Sequence, residues 1–282
     1  MKTLHTVKET RELIRSWTAN GETVGLVPTM GFLHEGHLSL MKRAKEENDR
    51  VVASIFVNPM QFGPKEDFAS YPRNLEADTA ACAAVPIDLI FAPTAAEMYP
   101  EGFCSYIDMD SLTGELCGKS RPGHFRGVCT VVGKLFNIVK PHKAYFGQKD
   151  AQQVAVIARM ARDLDMDLEV VTCPIIREDD GLAKSSRNSY LSPDERRAAL
   201  VVSKAVFAGE KLIKGGERNT AKLVAAMTEI VNAEPLARID YIEAVDALSI
   251  EKIETLRGPV LVALAVFIGK TRLIDNFIVD VK

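Results

Sequence analysis

The chain has 282 residues, of which 47% are hydrophobic and 26% are charged, and its formal net charge is −3 at pH 7. This length is enough for two packed cores, because a single core stops growing near about 250 residues. The charge balance lacks the basic surplus of a nucleic-acid-binding protein and favours a small-molecule partner.

The sequence also predicts the compartment. Residues 1–15 lack the apolar core of a secretory signal. The longest apolar run, 260–268, is far shorter than the ~20 residues that a membrane helix requires. The five cysteines are odd in number and form no C-x-x-C pair, so neither a disulfide framework nor a zinc cluster is indicated. We expect a cytoplasmic protein without a membrane partner.

Short β-branched runs alternate with helical patterns in the first two thirds of the chain. The predicted strands are 23–28, 51–57, 89–92, 144–146 and 168–174. The predicted helices are 38–47, 75–84, 130–139 and 150–164. This alternation predicts an α/β fold, a Rossmann-like doubly wound parallel sheet, with ligands bound beyond the carboxyl ends of the strands.

The pattern changes after Pro174. Residues 192–195 have the cap and first-turn chemistry of a helix start, helical patterns continue to about Asn232, and strand-like runs follow at 241–245, 259–268 and 273–279. We therefore predict two domains, a Rossmann-like domain at 1–176 and a smaller α+β domain at 177–282.

The strongest motif lies where the first predicted strand passes into a helix, and residues 28–40 read P-T-M-G-F-L-H-E-G-H-L-S-L. His34 and His37 are three apart, so both imidazoles lie on one face of the first helical turn. The helix N-terminus favours phosphate, and imidazoles can donate to phosphate oxygens. Gly36 keeps a side chain from standing between the backbone and a ligand. The motif predicts a polyphosphate site.

The histidine pair has two other interpretations. The histidines could be ordinary surface or core residues. A zinc site is also conceivable, but His-Glu-Gly-His is one residue shorter than the H-E-x-x-H of metalloproteases, so Glu35 cannot act as their general base does.

Two further segments follow predicted strands. Asn58 and Gln61 place amides beside apolar side chains, which suits a small branched hydroxy acid or, alternatively, a turn whose amides cap the backbone. In residues 144–153, Gly147 permits close backbone approach, Lys149 can meet phosphate and Asp150 can accept a ribose hydroxyl, while Gln153 faces the same way. The alternative for this segment is a surface loop with a helix cap.

These residues carry a resemblance. His34, Gly36 and His37 match the H-x-G-H signature of the nucleotidyltransferase superfamily, and the flanking residues are similar to the pantothenate synthetase family. Residues 184–188, K-S-S-R-N, resemble the K-M-S-K-S loop of the same superfamily, a polar loop that can close over phosphates. The resemblance covers essentially the whole chain.

The resemblance implies a reaction and a set of site residues. The reaction is the ATP-dependent condensation of (R)-pantoate with β-alanine through a pantoyl adenylate, with Mg²⁺ arriving on ATP, in a homodimer whose smaller domain acts as a lid. The implied catalytic residues are His37, His34 and Lys149. The implied substrate contacts are Gln61, to both pantoate and β-alanine, and Gln153, to pantoate. The implied ATP contacts are Met30, Gly31, Phe32, Leu33, His34, Glu35, Gly36, His37, Gly147, Gln148, Lys149, Asp150, Ile176, Lys184, Ser185, Ser186 and Arg187.

Other segments remain open or are rejected. Residues 121–127 combine two arginines and a histidine with two glycines, a composition found in anion sites and in exposed turns, and their role is unassigned. Gly269-Lys270-Thr271 lacks the first glycine of a P-loop. The cysteines are expected in the core rather than as nucleophiles, and Asp88 is a weak candidate for a metal ligand.

Two alternative functions remain. The chain could be another nucleotidyltransferase, such as a cytidylyltransferase or a truncated aminoacyl-tRNA synthetase, although it has no basic region for tRNA. It could also be a non-catalytic nucleotide-binding regulator, which would bind ATP without releasing diphosphate.

Overall fold

The computed structural model describes residues 1–64 and 66–282. The strands are β1 Lys2–Leu4, β2 Val24–Thr29, β3 Arg50–Ile55, β4 Leu89–Phe91, β5 Lys143–Gly147, β6 Glu169–Cys173, β7 Ala237–Asp246, β8 Gly258–Ile268 and β9 Thr271–Val281. The helices are α1 Val7–Ala19, α2 Glu35–Glu47, α3 Leu75–Ala83, α4 Ala95–Met98, α5 Leu116–Ser120, α6 His124–Val139, α7 Ala151–Asp163, α8 Pro193–Ala198, α9 Leu200–Lys214 and α10 Thr220–Asn232.

The chain divides into two compact units. The first unit consists of Met1–Met109, Arg121–Gly147 and Val156–Pro174, and the second consists of Asp110–Ser120, Gln148–Ala155 and Ile175–Lys282. The predicted domain limits, 1–176 and 177–282, stay a prediction. These units differ from them mainly because two inner segments, Asp110–Ser120 and Gln148–Ala155, group with the C-terminal part of the chain.

The first unit contains a six-stranded sheet in the order β1-β4-β3-β2-β5-β6. Every pairing in it is parallel, so the predicted Rossmann-like doubly wound sheet is confirmed. The strand order reverses between β2 and β5, and ligands bind beside such a switch point at the carboxyl ends of the strands. The His34–His37 motif begins just after β2, at this point of the sheet.

Burial on both faces explains the composition of these strands, because a parallel sheet is covered by helices on each side. Val27, Val51, Ile90 and Tyr145 are fully buried and share one core cluster with Met41 of α2. The five predicted strands of this sheet are all present, with ends shifted by one or two residues. The three-residue edge strand β1 and helix α1 were not predicted.

The second unit has a three-stranded antiparallel sheet in the order β7-β8-β9, together with helices α8, α9 and α10. Its core is separate and includes Val202, Leu223, Met227 and Leu264. The predicted smaller α+β part of the chain is thus confirmed. The rejected P-loop segment is the hairpin between β8 and β9, where Gly269 takes a φ of +56°.

The cysteines are all free thiols, and four of them are buried while Cys104 is exposed. Burial raises the pKa of Cys82 to about 11 and that of Cys129 to about 12. Such thiols stay protonated at neutral pH, which fits core residues rather than nucleophiles. None of the described helices is long and apolar enough to cross a membrane.

Candidate active site

The loop between β2 and α2 is folded by its own residues. Thr29 Oγ1 donates to Ser54 O at 2.7 Å and accepts from Gly31 N at 3.2 Å. Gly31 then takes a φ of +82° and Phe32 a φ of +51°. A positive φ favours glycine, so Gly31 allows the chain to turn sharply at the carboxyl end of β2.

Asp78 of α3 holds this loop from across the first unit, and sequence reasoning missed it. Its side chain is 3% exposed, and its two oxygens accept from Phe32 N at 2.9 Å and from Leu33 N at 2.7 Å. A buried carboxylate needs such donors. Helix α3 has two acidic residues in its first turn, Glu76 and Asp78, so the local sequence neither singles out Asp78 nor reveals its partner.

His34 and His37 cap helix α2. His34 Nδ1 accepts from Gly36 N at 3.1 Å, and His37 Nδ1 accepts from His34 N at 3.2 Å. The two half-buried rings lie with their centroids 4.1 Å apart. Because each Nδ1 accepts a hydrogen bond, the neutral ring carries its proton on Nε2. Each imidazole therefore offers an Nε2–H donor at a helix N-terminus.

Gly36 is needed for a reason that the sequence did not show. A Cβ at this position would lie 2.8 Å from His34 Cε1 and 2.9 Å from His34 Nδ1. A side chain would therefore displace the His34 ring from its cap. Glu35, the first residue of α2, is exposed.

Gln61 lies in a short 3₁₀ turn, Pro59–Gln61, at the end of β3. It is 8% exposed, and its Oε1 accepts from Asn58 Nδ2 at 3.0 Å while its Nε2 donates to Met30 Sδ at 3.2 Å. Asn58 Oδ1 in turn accepts from Tyr99 Oη at 2.7 Å. These bonds fix which end of the Gln61 amide faces the β2–α2 loop, and that end is the donor.

Arg121 and His124 hold the backbone of Gln61. His124 Nδ1 donates to Gln61 O at 2.8 Å, and Arg121 Nη2 donates to the same oxygen at 3.3 Å. Arg121 also donates to His124 Nε2 at 3.0 Å and forms two bonds of 2.6 Å with Glu66. The segment 121–127 thus stabilises the Gln61 turn, and its arginine charge at 121 is paired with a carboxylate.

The ion pair with Arg121 lowers the pKa of the Glu66 carboxyl. Burial raises the pKa of Glu66, but the hydrogen bonds and charge of Arg121 outweigh burial and hold that pKa at about 2. The other arginine of the segment, Arg126, lies on the surface with its guanidinium 4.1 Å from the centroid of the Tyr106 ring.

In the second unit, the residues after Gly147 form a 3₁₀ turn, Gln148–Asp150, that leads into α7. Lys149 Nζ lies 3.9 Å from Asp150 Oδ2. Asn276 Nδ2 donates to Gln148 O and Lys149 O, both at 2.9 Å. The turn is therefore held through its backbone carbonyls, whereas the Lys149 and Asp150 side chains stay partly exposed.

Ile176 and Lys184 lie opposite each other in a hairpin. Lys184 N donates to Ile176 O at 2.9 Å, and Arg177 pairs with Ala183 in an antiparallel bridge. Lys184 Nζ lies 3.4 Å from Glu178 Oε2. The hairpin brings the backbone of Ile176 beside the K-S-S-R segment.

The K-S-S-R segment itself ends in a 3₁₀ turn, Ser186–Tyr190. Ser185 Oγ accepts from Arg187 N at 3.3 Å as the cap of this turn. Asn188 Nδ2 donates to Ala183 O at 3.1 Å. Ser186 is buried, while Lys184, Ser185 and Arg187 are half-buried.

Neighbouring glutamines in α7 have different surroundings. Gln152 is buried, and its Nε2 donates to Leu112 O and Glu115 O, both at 2.8 Å. It therefore holds the segment before α5. Gln153, the predicted substrate contact, is half-buried.

The structure therefore gathers the predicted residues into two groups, one in each unit. In the first unit, the amide of Gln61 reaches Met30 of the β2–α2 loop, which continues into the imidazole pair. In the second unit, the Gln148–Asp150 turn and the 176–184 hairpin are both bonded to β9, through Asn276 and Asp275.

Sequence comparison identifies the family. The sequence model of pantoate-beta-alanine ligase matches residues 2–278. The chain belongs to the pantoate-beta-alanine ligase family. Members of this family catalyse the ATP-dependent condensation of pantoate with β-alanine, and the chain is a ligase with this activity in pantothenate biosynthesis.

Relatives in this ligase family match along the whole chain. The pantothenate synthetase of Ruminiclostridium cellulolyticum is 58% identical over 277 residues, which cover 98% of each chain. The pantothenate synthetase of Thermus thermophilus has a crystal structure similar to this one, with a TM-score of 0.94 and 46% identity, covering 98% of this chain and 99% of that one.

A structure of the Francisella tularensis pantoate-beta-alanine ligase is also similar, with a TM-score of 0.80 and 35% identity. The match covers 98% of this chain and 97% of that one, and that enzyme is complexed with beta-gamma ATP and β-alanine. The fold of this chain is thus shared with ligases of the family along its full length.

Asp88 does not suit the metal role considered for it. It lies just before β4, at the amino end of a parallel strand, whereas ligands bind at the carboxyl ends. Its carboxylate pairs with Arg50 at 3.0 Å and Lys45 at 3.3 Å and accepts from Val51 N at 2.9 Å. Within residues 1–64 and 66–282, no group of three or more acidic, histidine or cysteine side chains is arranged to hold a metal.

Proposed function

We propose that this ligase works in two steps through a pantoyl adenylate. First, a carboxylate oxygen of (R)-pantoate attacks the α-phosphorus of ATP, the bond from that phosphorus to the β-bridging oxygen breaks, and diphosphate leaves. Second, the amine of β-alanine attacks the acyl carbon, the acyl–phosphate oxygen bond breaks, AMP leaves, and the amine loses a proton. The product is (R)-pantothenate. Neither step needs a protein nucleophile, because alignment and charge stabilisation suffice.

The imidazole pair is the observation that carries this proposal. Each Nδ1 accepts a backbone N–H, so each ring is oriented and presents Nε2–H from a helix N-terminus. Donors fixed in this way stabilise charge without reorganising during the reaction. His37 and His34 contact the triphosphate, and His37 stabilises the negative charge that grows as diphosphate departs.

The remaining predicted ATP contacts divide by chemistry. Lys149, Lys184 and Arg187 supply positive charge, Ser185 and Ser186 supply hydroxyls, and all of them bind phosphate. Asp150 accepts a hydrogen bond from a ribose hydroxyl, and the backbone of Ile176 contacts adenine. The remaining proposed ATP contacts are Met30, Gly31, Phe32, Leu33, Glu35, Gly36, Gly147 and Gln148.

The open space around Gly147 supports its assignment as an ATP contact. A Cβ added there would meet no atom within 4 Å, so packing does not require glycine at this position. A small residue at the end of a strand beside the switch point suits close approach of a ligand to the backbone.

Gln61 and Gln153 bind pantoate, and Gln61 also contacts β-alanine. Because Asn58 occupies Gln61 Oε1, the end of the amide that serves a ligand is Nε2. Its partner in this structure is Met30 Sδ, and a thioether sulfur is a weak acceptor. A hydroxyl or carboxylate oxygen of pantoate is a stronger acceptor for the same donor.

Further parts of the proposal rest on the family resemblance or on the composition of the chain rather than on the geometry. Mg²⁺ arrives bound to the phosphates of ATP, and the described side chains form no separate site for it. The ligase acts as a homodimer in the cytoplasm, without nucleic acid or membrane partners, and it feeds coenzyme A biosynthesis.

The experiment that tests the two steps measures diphosphate and AMP separately. With ATP and pantoate alone, we expect about one diphosphate per active site, followed by AMP and pantothenate when β-alanine is added. His37→Ala should slow diphosphate release by ~100-fold or more, as for other lost charge-stabilising donors. Diphosphate release that requires β-alanine would contradict the adenylate, and ATP binding without release would favour a non-catalytic nucleotide-binding protein.

A further inference from the structure

We infer that Asp275 and Asn276, neighbours on β9, are positioning residues for ATP. Each one holds a different segment of the second unit that carries proposed phosphate contacts. Asn276 holds the Gln148–Asp150 turn, and Asp275 holds the hairpin of residues 176–184. The inference rests on the proposed function, because it takes Lys149 and Lys184 as groups that bind ATP.

Both ends of the Asn276 side-chain amide form hydrogen bonds with the Gln148–Asp150 turn. Its Nδ2 donates to Gln148 O and Lys149 O at 2.9 Å, and its Oδ1 accepts from Gln148 Nε2 at 3.4 Å. The side chain is 3% exposed. Since both carbonyls before Asp150 are fixed, the direction in which the Lys149 side chain leaves the backbone is fixed as well.

The position of Asn276 on its strand is unusual. Alternate residues of a strand share a face, so Asn276 shares its face with Ile274, which is half-buried, and Ile278, which is 46% exposed. That face is open along much of the strand. Asn276 is buried there because the Gln148–Asp150 turn covers it, and an amide is the side chain that satisfies the turn's carbonyls.

Asp275 lies on the opposite face, where the strand contributes to the core. Its neighbours on that face, Leu273 and Phe277, belong to the apolar core cluster, yet the Asp275 side chain is completely buried. Its carboxylate accepts from Arg177 Nη1 at 2.7 Å and Nη2 at 3.0 Å and from Asn276 N at 2.8 Å. The charge is thus fully paired.

Stability alone is a poor explanation for this ion pair. Desolvating two charges offsets much of their attraction, and apolar residues of similar size often stabilise a core as well or better. The ion pair instead fixes the position of the hairpin. Arg177 also donates to Gly181 O at 3.1 Å, so Asp275 is linked through Arg177 to the first strand and to the turn of the hairpin in which Lys184 N donates to Ile176 O.

Near-isosteric substitutions separate this role from packing. In Asn276→Asp, a carboxylate oxygen replaces the donor that faces Gln148 O and Lys149 O, which turns attraction into repulsion at almost unchanged volume. In Asp275→Asn, the bidentate acceptor for Arg177 is lost. The matched control is Asp240→Asn, since Asp240 accepts from Arg272 Nε and Nη2 at 3.0 and 2.8 Å on the same sheet and holds neither ATP segment.

The first readout is the dissociation constant of ATP, measured by calorimetry at a temperature where thermal melts show every variant folded. Asn276→Asp and Asp275→Asn should each weaken ATP binding by roughly tenfold or more, because the loss of one hydrogen bond to a charged phosphate oxygen costs about tenfold in affinity. Asp240→Asn should leave ATP affinity unchanged even if it lowers the melting temperature. Equal ATP affinity in all three variants would overturn the inference.

A double-mutant cycle gives the second readout. If Asn276 acts through Lys149, the effect of Asn276→Asp on ATP affinity should largely disappear in a Lys149→Ala background, because contacting partners are not additive. A purely structural role for Asn276 predicts the same loss in both backgrounds, and this result would overturn the inference while leaving the proposed function intact. If Lys149→Ala alone leaves ATP affinity unchanged, the proposed role of Lys149 fails and the inference falls with it.

Discussion

The imidazole motif of the first unit and the cationic segments of the second are positioned by contacts of very different range. His34 and His37 are oriented by backbone amides two or three residues away in the chain. The Lys149 turn is held by Asn276, 127 residues away from Lys149, and the Lys184 hairpin by Asp275, 98 residues from Arg177. Short-range contacts therefore orient the two imidazoles, whereas the cationic segments depend on the folded sheet.

The difference has a consequence for variants. A substitution at His34, Gly36 or His37 should change the ATP-dependent reaction directly, because these residues orient the imidazoles by themselves. A substitution at Asp275 or Asn276 of β9 should act indirectly, because it displaces the 176–184 hairpin or the Gln148–Asp150 turn without changing their sequences.

Gly36→Ala should be the most damaging small change. Its Cβ would lie within 2.9 Å of the His34 ring, so the ring would leave its cap, and we expect turnover to fall by ~100-fold. The matched control is Gly114→Ala, where the closest atom to the added Cβ is Ser111 O at 3.5 Å. Steady-state rates at saturating substrates make the comparison, and equal rates for the two variants would show that the cap is dispensable.

Asp78→Asn tests whether the imidazole motif is as local as its bonds suggest. One of the two acceptors for Phe32 N and Leu33 N becomes an NH₂ group, which leaves a donor unpaired at a cost of about 1–3 kcal/mol. We expect the KM for ATP to rise by roughly tenfold because the loop loosens. Denaturant unfolding and ATP kinetics measure both effects, with the exposed Asp163→Asn as control. An unchanged KM for ATP would show that the motif is positioned by its own residues and does not need Asp78.

Substitutions of His124 test the support of Gln61. His124→Leu removes the donor to Gln61 O and should raise the KM for pantoate by several-fold, up to about tenfold. His124→Asn places an amide NH₂ near the lost Nδ1–H and should recover part of the loss. If neither variant changes the KM for pantoate, Arg121 alone holds the turn or Gln61 does not bind pantoate.

The Glu66–Arg121 pair predicts a small, pH-dependent effect on stability. The folded pKa of Glu66 is lowered to about 2, below the ordinary value of about 4.3. The stabilisation is therefore fully present above about pH 4.3 and is lost as the pH falls toward 2. Relative to Glu66→Gln, the wild type should be more stable at pH 6 by about 1 kcal/mol, since solvent screens part of the attraction.

Urea unfolding at pH 6, 4 and 3 measures this difference. The gap between the wild type and Glu66→Gln should narrow as the pH falls. A constant gap would mean that Glu66 contributes packing rather than charge.

The sequence predicted what depends on short-range patterns. Apolar runs placed five of the strands of the parallel sheet, and the H-x-G-H spacing placed two imidazoles on one helical turn. Residues 121–127 were identified as unusual, but their composition could not show that Glu66 neutralises Arg121 or that His124 bonds Gln61 O. These partners become neighbours only when the chain folds.

Three site features had no readable signal in the sequence. Asp78, Asp275 and Asn276 are polar residues inside otherwise regular elements, and each bonds to a residue far along the chain, Asp275 to the Arg177 side chain and the other two to backbone groups. The grouping of Gln148–Ala155 with the C-terminal part of the chain depends on long-range contacts in the same way. Its bonds to β9 are tertiary, whereas its local pattern continues a βα unit.

The most direct test of the account compares His37→Asn with His142→Asn in pantoate-dependent exchange of labelled diphosphate into ATP, without β-alanine. Asparagine Oδ1 can accept a backbone N–H as Nδ1 does, and His142 Nδ1 likewise accepts from Val24 N at 3.0 Å, so both variants keep an acceptor for the structural bond and lose the distal part of the ring with its Nε2–H. We expect exchange to fall by ~100-fold or more in His37→Asn and to persist in His142→Asn. Normal exchange in His37→Asn would contradict the account.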